Sequence, residues 1–215
     1  MKIYIFLKEE LKMKTIFFLA LLLLSGCSAN LTKDIEITEL NYPKELNVVK
    51  RSDWGWKPLT SKIKQHKIKY ITLHHGGVKF TEEEDPVKYI RHLQDWSRAK
   101  KHWIDIPYHF MIDLDGKIYE TRPINYPGDT NTSYDPTGHA LICVMGNYEV
   151  QKINKKQLRA VVKLSAFLAK KYNVSVDNIK GHKDYAETLC PGKDFYKYIQ
   201  DGTLKERIKA LLNSK

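Results

Sequence analysis

Residues 68–77 read Ile-Lys-Tyr-Ile-Thr-Leu-His-His-Gly-Gly, and this stretch decides how the rest of the chain can fold. Its β-branched and aromatic residues are typical of a strand, and the two glycines mark where the strand runs into a loop. Strand ends that open into such loops often face a cleft. Because neighbouring strand residues point to opposite faces, we expect only one of His74 and His75 to enter the cleft.

Three more strands are predicted further along the chain. Residues 108–112 and 118–122 flank the Asp-Gly turn at 115–116, which supplies a positive φ and predicts an antiparallel hairpin. Residues 140–145 are a short apolar run typical of a buried strand. The sheet is therefore expected to contain at least one antiparallel pair.

Helical patterns alternate with these strands. One helix is predicted to begin near Pro86, and a strongly amphipathic one follows Asn154, which can cap its first turn. A last helix is expected at about residues 204–212. No internal repeat is visible, so we predict an α/β fold, a single domain with a central mixed β-sheet flanked by helices.

The N-terminus has the pattern of an export signal. Lys12 and Lys14 precede an apolar run at 16–24 that is too short to span a bilayer as a mature helix. The sequence Leu-Ser-Gly-Cys, ending at Cys27, resembles a bacterial lipobox. The resemblance implies that Cys27 is acylated and becomes the mature N-terminus, held at a membrane by its lipid chains. A buried helix with a small apolar cysteine is the alternative interpretation.

This pattern divides the chain into three predicted segments. Residues 1–26 form the lipoprotein signal peptide, with Met13 as an alternative start, and residues 27–49 form the lipidated cysteine and a polar tether. Residues 50–215 form the globular domain. We expect an exported, membrane-anchored lipoprotein. Because Ser28 stands where an aspartate often retains lipoproteins at the inner membrane, the outer membrane, facing the periplasm, is preferred.

The composition is that of a basic globular protein. The 215 residues are 42% hydrophobic, enough for one domain with a core, and carry a formal net charge of +11. The lysines are scattered, and no helix-turn-helix, RNP-like or finger pattern accompanies them, so we expect no nucleic-acid partner. For an exported protein the charge favours an envelope polymer bearing carboxylates or phosphates, or an anionic membrane face.

Residues 181–192 read Gly-His-Lys-Asp-Tyr-Ala-Glu-Thr-Leu-Cys-Pro-Gly and place His182 and Cys190 on one loop. Imidazole and thiolate are donors that Zn²⁺ takes, and His74 at its strand end is a third candidate. Three protein ligands leave a position for water, which is the catalytic arrangement. The alternative for the thiol is a disulfide with Cys143, although Cys143 lies in an apolar predicted strand and is expected to be buried there.

Four motifs, in order along the chain, resemble the zinc N-acetylmuramoyl-L-alanine amidases, a family that includes the phage T7-type lysozyme and the peptidoglycan recognition proteins. They are Thr-Leu-His-His at 72–75, Trp-Ile-Asp-Ile-Pro-Tyr-His-Phe at 103–110, the hairpin with Tyr-Glu and Arg at 115–122, and residues 181–192. Arg-Ser-Asp-Trp-Gly at 51–55 is similar to the opening of the recognition-protein branch. The resemblance covers about residues 51–198.

The resemblance implies hydrolysis of the amide between the lactyl group of N-acetylmuramic acid and the L-alanine of the stem peptide. It implies one Zn²⁺ per chain, held by His74, His182 and Cys190. Tyr108 matches the family's active-site tyrosine and Thr188 a second helper group, and both are expected to be catalytic. Peptidoglycan is the expected substrate and the protein is expected to be a monomer. Substrate-binding roles are expected for His75, Arg122 and Asn147.

Two departures from the family pattern stand out. Pro107 occupies a position where glycine is common, and residues 128–138 lack the usual histidine- and asparagine-rich cleft loop. The second departure concerns glycan and stem recognition rather than the metal site. Two other functions stay open: a peptidoglycan-binding module without catalysis, and a zinc peptidase acting on another cell-wall amide. Cys190 favours the enzyme, because non-catalytic members tend to lack the thiol ligand.

Overall fold

The computed structural model describes residues 35–214, so the predicted signal peptide and Cys27 lie outside the described residues. One compact unit comprises Ile37–Pro58 and Ile63–Lys215. The described residues 35–36 and 59–62 belong to a second unit and form no helix or strand. Among the described helices, none is long and apolar enough to cross a membrane.

A single six-stranded sheet lies at the centre of the larger unit, with the strand order β1-β4-β3-β5-β2-β6. All neighbours are parallel except the β3–β4 hairpin. The strands are β1 (Val48–Val49), β2 (Tyr70–His75), β3 (Phe110–Ile112), β4 (Ile118–Glu120), β5 (His139–Val144) and β6 (Ile179–Gly181). The mixed sheet predicted from the sequence is therefore present.

Five α-helices accompany the sheet in the part of the chain that the structure describes. They are α1 (Arg51–Trp54), α2 (Pro86–Lys101), α3 (Lys155–Tyr172), α4 (Lys193–Gln200) and α5 (Thr203–Asn213). The two long helices begin at the predicted caps. Asp85 Oδ1 accepts the backbone N–H of Val87 at 2.8 Å, and Asn154 Oδ1 accepts that of Gln157 at 2.9 Å. Each bond satisfies a helix N–H group that has no partner within the helix.

The sheet is covered on both faces, which is why β2 and β5 read as nearly continuous apolar runs. Helices α3 and α5 pack on one face through residues such as Val161 and Ile208. Helix α2 packs on the other through Ile90, which shares a buried cluster with Met111 and Cys143. His74 pairs in register with Cys143. His74 therefore lies on the α2 face of the sheet.

The domain begins earlier than residue 50, the boundary expected from the sequence. Leu40 and Leu46 are buried in the core, and Val48 of β1 pairs with Ile118 of β4. The later part of the predicted tether at 27–49 is thus folded. Its apolar residues are separated by polar ones without a helical or strand period, so no local pattern indicates that they are buried.

Candidate metal centre

Two neighbouring strands bring the predicted histidine ligands together. In the parallel pairing of β2 with β6, Leu73 lies opposite Gly181, so the next residues, His74 and His182, are side by side. Their ring centroids are 4.5 Å apart. Cys190 completes the group: one ligand atom from each of the three residues lies within 4.8 Å of the others. Nδ1 of His74 is 3.5 Å from Sγ of Cys190.

The loop that carries Cys190 is fixed by its backbone. The carbonyl of Cys190 accepts the N–H of Lys183 at 2.9 Å, and its own N–H donates to Oγ1 of Thr188 at 3.2 Å. Gly192, at φ +88°, ends the loop where a Cβ would lie 2.5 Å from the carbonyl carbon of Tyr148. Only a glycine fits here, because the position combines a left-handed backbone with a close approach. These contacts therefore fix the backbone position of Cys190.

All three candidate ligands are uncharged near neutral pH in the absence of a cation. His74, His182 and Cys190 are 2%, 7% and 9% exposed. Burial lowers the pKa of His74 well below its ordinary value and that of His182 to about 4. Burial raises the pKa of Cys190 to about 12, an effect opposed by the backbone N–H of His75. Two neutral imidazoles and a thiol that a cation can deprotonate form a donor set that fits Zn²⁺.

Tyr108 lies beside this group, just before β3. Its ring centroid is 5.2 Å from that of His74. Burial raises the pKa of its phenol well above the ordinary value. Tyr108 is therefore a protonated hydrogen-bond donor beside the candidate ligands. Thr188 is half-buried in the Cys190 loop, where its Oγ1 accepts the N–H of Cys190, and its expected helper role stays a prediction.

Arg122 has a structural role, which corrects the expectation that it binds substrate. The side chain is 1% exposed. Its guanidinium donates to the carbonyls of Ile106 and Asp105 at 2.7 and 2.9 Å, to the carbonyl of Pro127, and to the carboxylate of Asp129. These bonds leave Arg122 in the interior and tie β4 to the loop that follows it. The signal for this role is the buried guanidinium, which the sequence does not reveal.

His75 and Asn147 stand next to the site and make contacts within the protein. The backbone N–H of His75 donates to Sγ of Cys190 at 3.4 Å, and its Nδ1 accepts the N–H of Tyr148 at 3.2 Å. The side chain of Asn147 donates to the carbonyl of Gly77 at 3.0 Å. As predicted, His74 enters the ligand group and His75 does not. The substrate-binding roles expected for His75 and Asn147 stay predictions.

Two residues that contact the candidate ligands were not predicted from the sequence. Oγ1 of Thr132 is 2.8 Å from Nε2 of His182, and the hydroxyl of Tyr134 is 3.4 Å from Nε2 of His74. The ring of Tyr134 also packs 5.0 Å from that of His182. Both residues lie in a segment rich in turn-forming residues, where one hydroxyl cannot be told from another by pattern. Their positions depend on the fold.

Comparison with known proteins identifies the family. Residues 64–193 match the family model described as N-acetylmuramoyl-L-alanine amidase. The chain belongs to this family. Peptidoglycan recognition protein 1 of Mus musculus is 32% identical over 162 residues, which are 71% of this chain and 86% of the mouse protein. The resemblance predicted from the four motifs is therefore confirmed.

Solved structures agree with this assignment. The crystal structure of Drosophila peptidoglycan recognition protein SD superposes with a TM-score of 0.64 at 27% identity, covering 71% of this chain and 92% of that one. A human peptidoglycan recognition protein, PGRP-IBETAC, in complex with glycosamyl muramyl pentapeptide, gives a TM-score of 0.63 at 26% identity, covering 72% and 94%. The predicted α/β domain with a central mixed sheet flanked by helices is confirmed.

Proposed function

We propose that this chain is a zinc-dependent N-acetylmuramoyl-L-alanine amidase, which hydrolyses the amide between the lactyl group of N-acetylmuramic acid and the L-alanine of the stem peptide. The observation that carries the proposal is the convergence of His74, His182 and Cys190 within 4.8 Å. Three ligands of this kind leave a coordination position for water and substrate. The human relative bound to a muramyl pentapeptide supports the choice of substrate class.

The two imidazoles and the thiolate would hold one Zn²⁺. When bound, Zn²⁺ lowers the pKa of water and polarises the amide carbonyl. Tyr108 keeps its proton, because burial raises the pKa of its phenol, and it donates a hydrogen bond to the carbonyl oxygen as negative charge develops there. Thr188 supplies a second hydroxyl from the Cys190 loop but no positive charge.

A peptidoglycan-binding module without catalysis is the second candidate function. It is favoured by the relatives, which are named as recognition proteins. A zinc peptidase that cuts another cell-wall amide is a third. The thiol of Cys190 supports the enzyme over the binding module, because it completes a three-ligand set of the catalytic type.

Metal analysis and muropeptide release test the proposal. Wild-type protein is expected to hold about one zinc per chain, as a three-ligand site would, and to release stem peptides with a free L-alanine amine from intact glycan chains. Cys190→Ser should lose both metal and activity. Tyr108→Phe should keep its metal and lose about 100-fold or more in kcat, as for removal of one oxyanion donor. Tyr198→Phe removes a phenolic hydroxyl on α4 and serves as the matched control.

Two other results would favour the alternative functions. Zinc-loaded wild type that binds peptidoglycan but releases no product would replace the enzyme with the binding module. Products cleaved within the stem peptide would indicate the peptidase.

We also propose that the chain is exported and anchored by lipid at Cys27, in the outer membrane facing the periplasm. The apolar run at 16–24 and the Leu-Ser-Gly-Cys sequence support this. Cells fed a palmitate analogue should label the wild type and leave Cys27→Ala unlabelled. A wild-type protein that is not labelled would refute the proposed lipid anchor at Cys27.

A further inference from the structure

The loop at residues 126–138 places hydroxyl groups against the outer nitrogens of both candidate histidine ligands. Oγ1 of Thr132 is 2.8 Å from Nε2 of His182. Thr132 is held in turn by Thr130, whose Oγ1 is 2.8 Å from that of Thr132 and accepts its backbone N–H at 3.1 Å. The hydroxyl of Tyr134 makes the corresponding contact with Nε2 of His74 at the longer distance of 3.4 Å. Both histidines thus meet the same loop through the same ring nitrogen.

This arrangement suggests a tautomer, and therefore a metal-binding nitrogen, for each ring. A neutral imidazole has one N–H and one lone pair, on different nitrogens. When Nε2 of His182 donates its hydrogen to Thr132, the lone pair is left on Nδ1. His74 has the matching orientation, because its Nδ1 lies 3.5 Å from Sγ of Cys190 while its Nε2 faces the loop.

The 126–138 loop is anchored at both ends. At its start, Arg122 bonds to the carbonyl of Pro127 and to Asp129, whose backbone N–H reaches the carbonyl of Pro107 at 3.3 Å. At its end, the N–H of Gly138 donates to Nδ1 of His66 at 2.7 Å. A loop held in this way has a defined position relative to the sheet. It can therefore hold a ligand side chain in one orientation.

We propose that Thr132 is a positioning residue for the metal: it fixes the ring of His182 through Nε2 so that Nδ1 faces Zn²⁺. Tyr134 plays the same, weaker part for His74. A ligating histidine commonly donates its other N–H to a fixed acceptor, which sets its tautomer and orientation. Here that acceptor is a hydroxyl of the 126–138 loop. The inference rests on the zinc-binding part of the proposed function and is independent of which amide is cut.

The zinc dissociation constant of Thr132 variants tests this role. Thr132→Val keeps the shape of the side chain and removes the hydroxyl, so zinc binding measured by competition with a chromogenic chelator should weaken by about 10- to 100-fold. Thr132→Ser restores the hydroxyl and should bind nearly as the wild type does. Ser133→Ala, which removes the exposed neighbouring hydroxyl, is the control and should leave the affinity unchanged. Tyr134→Phe should have a smaller effect, because a 3.4 Å contact is long for a hydrogen bond.

A second measurement separates positioning from a loss of folding. Thermal unfolding of the metal-free proteins should be closely similar for wild type and Thr132→Val, while the absorption spectrum of the Co²⁺ forms should differ, because it reports the ligand geometry. If the valine variant does not fold, Thr132→Ala takes its place. Equal zinc affinity in wild type and the hydroxyl-free variant would overturn the inference, as would tighter binding, which would make Thr132 a competitor of the metal. Wild type that binds no zinc would overturn the proposed function as well.

Discussion

Between pH 7 and pH 5, zinc binding should displace one proton from the protein and no more, so the zinc affinity should fall as the pH is lowered. The thiol of Cys190 is protonated throughout this range, because burial raises its pKa to about 12. A metal must therefore displace one proton, and its apparent affinity falls as the pH falls. The histidines add nothing to this dependence. Burial lowers the pKa of His182 to about 4 and that of His74 well below its ordinary value, so both stay neutral.

The size of the loss in zinc affinity distinguishes histidines that stay neutral from histidines that titrate in this range. One displaced proton costs a factor of about ten per pH unit, or about 100-fold between pH 7 and pH 5. Two histidines titrating at their ordinary pKa of about 6.5 would be largely protonated at pH 5 and would weaken binding by roughly 600-fold more. Zinc-bound water has a pKa of about 7, so it releases its proton mainly above this pH range and changes the slope little between pH 5 and pH 7.

The assay is competition with a chelator whose zinc affinity is known at each pH, with circular dichroism to verify that the metal-free protein stays folded. The logarithm of the affinity should rise with a slope of about one between pH 5 and pH 7. A slope of two or three below about pH 6 would refute the conclusion that burial keeps the histidines neutral. A slope near zero would show that Cys190 does not bind the metal as a thiolate.

Two further predictions concern residues that hold the site. Arg122→Met should lower the free energy of unfolding by about 3 kcal/mol or more, because the carbonyls of Ile106, Pro127 and Asp105 would lose their donor. Urea denaturation measures this, and an unchanged stability with a raised KM would return Arg122 to substrate binding. Gly192→Ala should both destabilise the fold and weaken zinc binding, because its Cβ would lie 2.5 Å from the backbone of Tyr148. Gly202→Ala is the matched control, because Gly202 also has a positive φ, +80°, but an added Cβ would have no atom within 4 Å. This variant should lose only about 1 to 2 kcal/mol of stability and keep its zinc binding. Calorimetry and zinc titration measure the two effects.

Local signals explain why much of the fold could be predicted. Asp85 and Asn154 cap helices because short polar side chains satisfy the first backbone N–H groups. The turn between β3 and β4 follows from Gly116, which adopts φ +75°. The candidate metal ligands could also be predicted, because imidazole and thiol are rare enough as a set to point to zinc. In each case the residue type itself carries the information.

The features that were missed depend on contacts between distant parts of the chain. Helix α4 (Lys193–Gln200) is short and follows the Cys190 loop, so its eight residues show no long apolar period. Leu46 gives no local sign that it is buried. Arg122 looks like any cleft arginine until its guanidinium is seen to bond to three backbone carbonyls. The hydroxyl of Thr132 contacts His182 only because the fold brings the 126–138 loop next to that histidine.

The candidate metal centre is built from segments that lie far apart in the sequence. Strands β2 and β6 bring His74 and His182 together by register, but this register does not set the orientation of the two rings. In the proposed arrangement the 126–138 loop orients the ring of His182 through Thr132, and the buried Arg122 bonds to the start of the loop. Arg122 bonds to none of the candidate ligands, so we expect any influence of this residue on zinc binding to act through the position of the loop. Arg122, which was expected from the sequence to bind substrate, is instead buried and bonded to the start of this loop through Pro127 and Asp129.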